Sequence, residues 1–375
     1  MGKKIFIITG EYSGDIHASR VVNALKTQSP DIEIEGIGGE NLKRAGVKLF
    51  SDQKKMGAMG ISPAIIYNHI MLGKRVVNYI INEYKPDLVL LIDYGAFNLN
   101  VSKFLHKAGI KVMYYIPPQV WASRKWRINT IKKNIDDVLC IFPFEKDLYE
   151  SYGIKTHYCG HPLVSQLPEK ANKEEFFTQH GFDASKKLVS VFPGSRKFEL
   201  KYLANVFIKS AKELKKRHPE LQICISQAPN LPDDIYNKYI KDTDFKVIKG
   251  ENQALLSVSD ALILASGTVA LEAALYKTPM IIAYRGPILL YWIYLLVRCI
   301  KMVSLPNIIL NKIIVPEIIE HKVNVNNITY NIEKLLYDKE ARNIQIEGLS
   351  QVKNLLSDKV SSIEAANEII NILGK

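Results

Sequence analysis

The sequence contains few cysteines, and they are not arranged as metal or disulfide motifs. The 375 residues include Cys140, Cys159, Cys224 and Cys299, none of them in a C-x-x-C pair or beside a histidine. This spacing excludes a zinc finger and argues against a disulfide framework. The chain also opens on Met1-Gly2-Lys3-Lys4 directly before an apolar strand, without the pattern of a signal peptide. We therefore predict free thiols and a cytoplasmic protein.

Common nucleotide and nucleic-acid motifs are missing as well. No loop reads G-x-G-x-x-G or ends in the Walker Gly-Lys-Ser/Thr, which disfavours NAD and ATP chemistry. No RNP motif or basic-aromatic stripe is present, so we predict no nucleic-acid partner in spite of a net charge of +12. The positive charge instead favours a phosphorylated substrate or an anionic lipid surface.

Long hydrophobic runs are also absent, because the most apolar stretch, residues 286–297, is shorter than the roughly 20 residues that span a bilayer. Its aromatic residues and the following Arg298 and Lys301 are typical of a helix lying on a membrane surface, with Leu290, Trp292 and Leu295 as the predicted contacts. A buried helix is the alternative. Residues 57–72, followed by Lys74 and Arg75, form a second such segment.

The chain does contain a strand–loop–helix unit that occurs twice, about half a chain apart. Residues 4–9 and 187–192 are apolar strands, and each leads through a short loop rich in Gly and Ser into a helix. This pattern predicts two Rossmann-like α/β domains.

We place the first domain at residues 1–165 and the second at 187–345, with a polar linker at 166–186. Residues 346–375 are predicted to form helices that pack back on an N-terminal domain.

A third loop of this kind follows the predicted strand Ala261–Ala265. Ser266, Gly267 and Thr268 lead directly into a helix that carries Glu272 on its first turns. The free N–H groups and the dipole of a helix N-terminus favour a phosphate, and Gly267 lets a ligand approach the backbone. Helix capping by Ser266 is the alternative interpretation.

The motifs together resemble the lipid-A-disaccharide synthase family. They keep their order over nearly the whole chain, up to the C-terminal helices. They read Gly10-Glu11-Tyr12-Ser13-Gly14-Asp15, Gly38-Gly39, Met59-Gly60, Ile92-Asp93, Phe97-Asn98, Pro118-Gln119-Val120-Trp121-Ala122, Phe142-Pro143-Phe144-Glu145, Gly160-His161-Pro162, Pro193-Gly194-Ser195-Arg196, Ser266-Gly267-Thr268, Leu271-Glu272 and Ser304-Leu305-Pro306-Asn307.

The resemblance implies the glycosyltransferase B architecture, in which two Rossmann-like domains face each other across a cleft. It implies an inverting transfer from UDP-2,3-diacylglucosamine to 2,3-diacylglucosamine 1-phosphate, which gives a β-1,6-linked disaccharide 1-phosphate and UDP. It implies no metal or other cofactor. Acylated substrates imply peripheral association with the anionic inner-membrane surface, and the sequence leaves open whether the chain forms a homodimer.

The resemblance also implies roles for single residues. The donor UDP-sugar is assigned to the second domain, with Arg196 as the leading pyrophosphate ligand and Glu272 as a ribose contact. The other implied donor contacts are Gly194, Ser195, Ser266, Gly267, Thr268, Asn307 and Glu317. The acceptor is assigned to the first domain, at Ser13, Gly14 and Asn98.

The chain departs from the family pattern at the expected base. Many family members carry Asp-x-x-Asp-Phe-Asn, whereas this chain has Ala96 in the second acidic position. The base role therefore falls on Asp93, or on Glu11 or Asp15 in the first loop. The alternative for Asp93 is a structural cap at a strand end, and the alternative for Asp15 is the N-cap of the first helix.

Two other functions stay open at this stage. One is a different sugar-nucleotide enzyme of the same fold, such as a 2-epimerase or a transferase for lipid-linked sugars. The other is a non-catalytic sugar-nucleotide or lipid-binding protein, for which the missing second aspartate would be an expected loss.

Overall fold

The computed structural model describes residues 2–53, 63–241, 243–287, 299–356 and 359–374. The chain forms two compact units, one made of Met1–Ser165 with Leu356–Lys375 and the other of Gln166–Leu355. Each described unit is built on a parallel sheet with helical connections, so the prediction of two α/β domains is confirmed.

Within the described residues, the sheet of the first unit has seven parallel strands in the order β3-β2-β1-β4-β5-β6-β7. The strands are β1 (Lys4–Ile8), β2 (Glu33–Gly38), β3 (Lys48–Asp52), β4 (Leu88–Ile92), β5 (Val112–Tyr115), β6 (Asp137–Cys140) and β7 (Thr156–Tyr158). Every residue of β4 is buried, as expected of an apolar run covered by helices on both sheet faces.

Helices connect these strands and cover the sheet. They are Tyr12–Gln28, Glu40–Arg44, Pro63–Tyr79, Gly95–Lys107, Arg127–Asn134 and Pro143–Ser151, with a π-helical turn at Ile80–Tyr84 and a short helix, Pro162–Gln166, at the junction of the units. The core beneath them includes Phe6, Val76, Leu91 and Tyr114.

In the second unit, the described residues form a six-stranded parallel sheet in the order β10-β9-β8-β11-β12-β13. The strands are β8 (Leu188–Phe192), β9 (Gln222–Gln227), β10 (Lys246–Lys249), β11 (Ala261–Ala265), β12 (Met280–Tyr284) and β13 (Glu317–Ile319). The helices are Lys173–His180, Lys197–Arg217, Asp233–Ile240, Asn252–Val258, Val269–Tyr276, Leu305–Leu310, Val325–Tyr337 and Lys339–Leu356, with a 3-10 turn at Glu320–Lys322.

The segment 166–186 differs from the linker that the sequence predicts, because it holds the helix Lys173–His180. Asn172 caps this helix by accepting hydrogen bonds from the amides of Glu174 and Glu175, and Phe176 and Phe177 are buried. Two adjacent phenylalanines among polar residues do not show helical periodicity, so the pattern concealed a helix that belongs to the second unit.

The C-terminal helices are divided between the units. Lys339–Leu356 belongs to the second unit, where Gln345 exchanges hydrogen bonds with the backbone of Met280 in β12. Ser361–Leu373 packs on the helix Tyr12–Gln28 of the first unit. Its first residue, Ser361, hydrogen-bonds the Tyr115 hydroxyl over 2.7 Å. Only the last helix therefore returns to the N-terminal domain.

Candidate functional site

The first candidate site lies at the carboxyl ends of β1 and β4. These strands are parallel neighbours, and the strand order changes direction between them. Open parallel sheets bind ligands at such a switch point. The two loops touch, because a Cβ added at Gly10 would lie 2.3 Å from the Tyr94 ring, and one at Gly14 would lie 3.8 Å from Cβ of Asp93.

Asp93 stands at this edge in a constrained conformation. Its φ is +50° and that of Tyr94 is +51°, values that residues with a side chain rarely adopt. The carbonyl oxygen of Asp93 accepts hydrogen bonds from Asn98 Nδ2 at 2.8 Å and from the Tyr114 hydroxyl at 2.6 Å. Burial raises the pKa of the Asp93 carboxyl, although the Tyr94 amide works in the opposite direction. A partly exposed carboxylate with a raised pKa suits a general base.

Asp15 has a different role from the one proposed for a base. Its carboxylate is fully buried and accepts hydrogen bonds from the amides of Gly39, Asn41 and Leu42 and from Asn41 Nδ2. These groups belong to the first turn of the helix Glu40–Arg44 and its N-cap. Asp15 therefore caps the helix Glu40–Arg44. The alternative prediction, that Asp15 is the N-cap of the first helix, is wrong, because Glu11 occupies that position.

Glu11 lies closer to the candidate site. It is the N-cap residue of the helix Tyr12–Gln28, and its side chain is partly exposed. Burial raises the pKa of the Tyr94 hydroxyl, and the Glu11 carboxylate contributes to the same shift. Glu11 and Tyr94 are thus within electrostatic reach, and Glu11 stays the second candidate for the base.

The predicted acceptor contacts divide into one surface residue and two supporting residues. Ser13 is exposed on the first turn of its helix. Gly14 is buried, and a Cβ there would lie 2.3 Å from Oγ1 of Thr9. Asn98 is fully buried and donates to the carbonyls of Asp93 and Ile92. The structure therefore shows Asn98 shaping the Asp93 loop, where the sequence predicts an acceptor contact.

Sequence reasoning missed Tyr94 and His69 at this edge. The His69 ring hydrogen-bonds the Tyr94 hydroxyl, and both rings pack against Phe97. Tyr94 directly follows Asp93, and this adjacency was the available signal. His69 carried no signal, because it lies 25 residues before Tyr94, within the helix Pro63–Tyr79.

The second candidate site lies at the carboxyl ends of β8 and β11, where the second sheet also changes strand order. Both loops that the sequence selects therefore meet at one switch point. Gly194 has φ +123°, and a Cβ there would lie 2.5 Å from Glu199. Glycine is required here because the backbone approaches that side chain closely.

Glu199, which sequence reasoning missed, occupies the backbone amides of the β8 loop. Its Oε2 accepts from the amides of Ser195 at 2.7 Å and Arg196 at 3.3 Å. The amides of Ser195 and Arg196, two of the implied donor contacts, are thus bonded to a carboxylate of the protein. The Arg196 side chain itself is 74% exposed, with Glu199 as a distant ion-pair partner at 3.9 Å. A glutamate three residues after an N-cap is the capping-box signal that could have revealed this contact.

The β11 loop is more open. Nothing lies within 4 Å of a Cβ added at Gly267, and Thr268 is the exposed N-cap residue of the helix Val269–Tyr276. Ser266 donates a long hydrogen bond of 3.4 Å to the Val303 carbonyl. Glu272 is partly buried one turn further on, and burial raises the pKa of its carboxyl. This loop offers a helix N-terminus with space for a ligand.

Asn307 and Glu317, two of the predicted donor contacts, are bonded to the protein itself. Asn307 is fully buried, donates to Glu317 and to the Val315 carbonyl, and accepts from the amides of Ile314 and Val315. Glu317 also accepts from the amides of Val303 and Ser304. The structure shows both side chains bracing this loop, so direct contact with the nucleotide stays only a prediction.

The predicted membrane contacts Leu290, Trp292 and Leu295 lie outside the described residues. Of the second apolar segment, residues 63–72 belong to the helix Pro63–Tyr79, which leaves Ile66, Tyr67 and Ile70 about half exposed or more. No helix in the described parts of the chain has the length and hydropathy needed to cross a bilayer. Those same parts contain no group of three His, Cys, Asp or Glu side chains placed to hold a metal ion.

Similar solved structures show the same fold over the whole chain. A UDP-N-acetylglucosamine 2-epimerase from Neisseria meningitidis, solved bound to UDP-GlcNAc, is 14% identical with a TM-score of 0.64, and the match covers 99% of this chain and all of that one. The glycosyltransferase of kitacinnamycin is 12% identical with a TM-score of 0.64 and covers 99% of each chain. These similarities confirm the glycosyltransferase B fold.

The sequence comparisons decide the family. The family model for lipid-A-disaccharide synthetase matches residues 5–370. A lipid-A-disaccharide synthase of Myxococcus xanthus is 31% identical over 99% of this chain and 97% of its own length. Lipid-A-disaccharide synthase 1 of Legionella pneumophila is 35% identical over 94% of this chain and 93% of its own. The chain therefore belongs to the lipid-A-disaccharide synthetase family of glycosyltransferases.

Proposed function

We propose that this protein transfers 2,3-diacylglucosamine from its UDP conjugate to the 6-hydroxyl of 2,3-diacylglucosamine 1-phosphate. The products are the β-1,6-linked disaccharide 1-phosphate and UDP. The observation that carries this proposal is Asp93, a partly buried carboxylate with a raised pKa at the switch point of the first sheet. Relatives named lipid-A-disaccharide synthase support this reaction, and Asp93 is suited to be the general base that the reaction needs.

The acceptor half of the reaction belongs to the first unit. Asp93 takes the proton of the acceptor hydroxyl while the hydroxyl oxygen attacks the anomeric carbon of the donor. A sugar hydroxyl is a poor nucleophile near neutral pH, so a positioned base contributes roughly 10²–10⁴-fold to the rate. Asn98 and Tyr114 hold the Asp93 carbonyl and thereby keep the carboxylate in place.

The donor half belongs to the second unit. The bond between the anomeric carbon and the pyrophosphate breaks, and UDP leaves with the electron pair. Arg196 offers an exposed guanidinium that neutralises the charge developing on the pyrophosphate. Gly267 and Thr268, which are exposed at the start of the helix Val269–Tyr276, contribute further phosphate contacts, and Glu272 accepts from a ribose hydroxyl.

Because both substrates carry acyl chains, we propose that the enzyme binds these substrates at the cytoplasmic surface of the inner membrane. The helix Pro63–Tyr79 supports this proposal because Ile66, Tyr67 and Ile70 are exposed while Lys74 and Arg75 follow one turn later. Apolar side chains beside positive charges are typical of a helix that binds an anionic bilayer.

The test is UDP release from the purified chain with both acylated sugars, compared with either sugar alone. Release that requires both substrates is the expected result. UDP formed from the donor alone would indicate hydrolysis or 2-epimerase-type chemistry, and no UDP under any condition would indicate a binding protein. The epimerases among the similar solved structures share the fold at 14–15% identity. A similarity at that level does not support an epimerase reaction for this chain.

A further inference from the structure

Two arginines lie at the carboxyl edge of the first sheet, beyond β5. Arg127 begins the helix Arg127–Asn134, and its amide donates to the Arg124 carbonyl at 3.0 Å. Arg124 has φ +56°, so the chain turns sharply between them. Nη1 of Arg127 lies 3.4 Å from the point where a Cβ at Gly95 would stand. Gly95 opens the helix Gly95–Lys107, two residues after Asp93.

The two guanidinium groups have no acidic partner among the described residues. In the described residues, neither guanidinium forms an ion pair or a side-chain hydrogen bond, whereas Arg217 pairs with both Glu213 and Glu333. Partial burial and the neighbouring charge of Arg124 lower the pKa of Arg127. Arg127 is partly buried and Arg124 is exposed, and two neighbouring like charges of this kind favour an anion that binds both.

Arg127 and Asp93 both lie within electrostatic reach of the Tyr114 hydroxyl. The Tyr114 hydroxyl, which donates to the Asp93 carbonyl, responds to both groups: burial raises the pKa of Tyr114 most, the Asp93 charge raises it further, and the Arg127 charge lowers it. An anion bound by Arg127 would therefore lie near the group proposed to activate the acceptor.

We propose that Arg124 and Arg127 bind the 1-phosphate of the acceptor sugar. The inference rests on the proposed function and assigns a subsite to it. In the acceptor, the phosphate is on C1 and the attacking hydroxyl is on C6, which is attached to C5, so the two groups extend from the carbons that flank the ring oxygen. A guanidinium is suited to a phosphate monoester because its planar donors bind two oxygens at once. With the phosphate held by the arginines, the sugar would present its hydroxyl toward Asp93.

An anionic lipid headgroup has the same phosphate chemistry as the acceptor. Trp126, between the two arginines in sequence, is 64% exposed, and such a residue also suits a membrane surface. We commit to the acceptor, because Arg127 is turned to the Gly95 backbone beside Asp93. Headgroup binding is an outcome that the experiment separates.

The experiment compares two acceptors, 2,3-diacylglucosamine with and without its 1-phosphate, in the wild type and in Arg124→Gln and Arg127→Gln. The wild type should prefer the phosphorylated acceptor in kcat/KM. Each variant should lose about tenfold to a hundredfold of that preference through a higher KM for the acceptor, with the KM for the donor unchanged. Lys132→Gln, at the far end of the same helix, is the matched control and should keep the full preference. An unchanged preference in both arginine variants would overturn the proposal.

Two further arms separate the other outcomes. If the wild type releases no UDP with either acceptor, the proposed function fails. Equilibrium dialysis of the two acceptors in detergent micelles then tests the subsite. A wild-type binding preference for the phosphorylated acceptor that the variants lose would support it, and a preference that they keep would overturn it. If the variants lose flotation with phosphatidylglycerol vesicles but keep the acceptor preference, the arginines serve the membrane surface and our assignment is wrong.

Discussion

Asp15 and Asp93 are both aspartates near the ends of adjacent strands, yet their surroundings give them opposite properties. Asp15 is fully buried, and its two oxygens accept hydrogen bonds from three backbone amides and Asn41 Nδ2. Asp93 keeps some exposure, and burial raises its pKa. A carboxylate whose oxygens already accept several hydrogen bonds is a poor proton acceptor. A carboxylate whose pKa is raised toward neutral pH is a better one.

We expect Asp93→Asn to lower kcat by roughly 10²–10⁴-fold while the Kd for UDP stays unchanged, because we assign the nucleotide to the other unit. Steady-state kinetics and titration with UDP measure the two effects. Glu11→Gln is the matched variant on the neighbouring loop. Normal turnover in Asp93→Asn together with an inactive Glu11→Gln would transfer the base role to Glu11.

Asp15→Asn serves as a structural control for these variants. An Asn side chain would direct Nδ2 at amides that themselves donate, and an unsatisfied buried group costs about 1–3 kcal/mol. The expected result is therefore a lower melting temperature. A fully stable but inactive Asp15→Asn protein would show that Asp15 takes part in the chemistry.

Arg196 is the residue on which the donor assignment depends. We expect Arg196→Ala to reduce kcat by about a hundredfold, equivalent to about 3 kcal/mol in the barrier, because it removes a charge-assisted contact to the leaving group. The melting temperature should hardly change, since the Arg196 side chain is exposed and its ion pair with Glu199 is long at 3.9 Å. Arg217→Ala, at the other end of the same helix, is the control. Wild-type kcat/KM in Arg196→Ala would refute the assignment.

Among the elements, the helix Pro63–Tyr79 combines a buried face and an exposed apolar face. Val76 is fully buried in the core of the first unit, whereas Tyr67 is 63% and Ile70 54% exposed. His69 connects the helix to the candidate site through its hydrogen bond with Tyr94. The element that we propose for lipid contact is thus directly attached to the edge where the acceptor is proposed to bind.

Replacing Ile66, Tyr67 and Ile70 by Asn should weaken binding to phosphatidylglycerol vesicles by about tenfold or more, because the lost apolar area no longer enters the bilayer. The fold should be retained, since these side chains are exposed in the protein. Flotation and thermal unfolding measure the two effects. Ile344→Asn, which changes a similarly exposed residue of the second unit, is the control. Unfolding of the triple variant would show that this face is part of the core.

At the scale of the whole molecule, the chain ends by returning to its first unit. His157 lies between two carboxylates: its Nε2 is 3.1 Å from Asp137 and its Nδ1 is 3.2 Å from Glu368 of the last helix. Lys155 also pairs with Asp137, whose carboxylate is buried. This cluster links β6, β7 and the helix Ser361–Leu373.

The cluster predicts a pH dependence of stability. Burial alone would raise the pKa of Asp137, but the hydrogen bonds from His157 and Lys155 outweigh it and lower the pKa. The Asp137 contribution is therefore present above its ordinary pKa near 4 and is lost as pH falls through the lowered value. Asp137→Asn should be less stable by about 2 kcal/mol at pH 7, and the difference should shrink below about pH 4. Thermal unfolding at a series of pH values measures this difference in stability, with Asp147→Asn, at an exposed position, as the control. A difference that does not change with pH would contradict the proposed ion pairing.

Much of the architecture could be predicted from local patterns. Short apolar runs separated by helices predict parallel sheets, and loops at strand ends predict where ligands bind. The loops after β8 and β11 were selected for their composition, and the sheet order places both at one switch point. The helix Lys173–His180 and the separation of the last two helices were not evident, because the relevant packing partners are distant in sequence.

The properties of single site residues depended on contacts that no local pattern contains. Asp15 is saturated by groups 24 to 27 residues away, and Asn98 reaches the carbonyl of Ile8, 90 residues distant. Residue type and loop position identify which side chains are able to bind or catalyse. Whether a carboxylate or amide stays available to a ligand depends on which donors the fold brings to it, because most buried polar groups form hydrogen bonds within the protein.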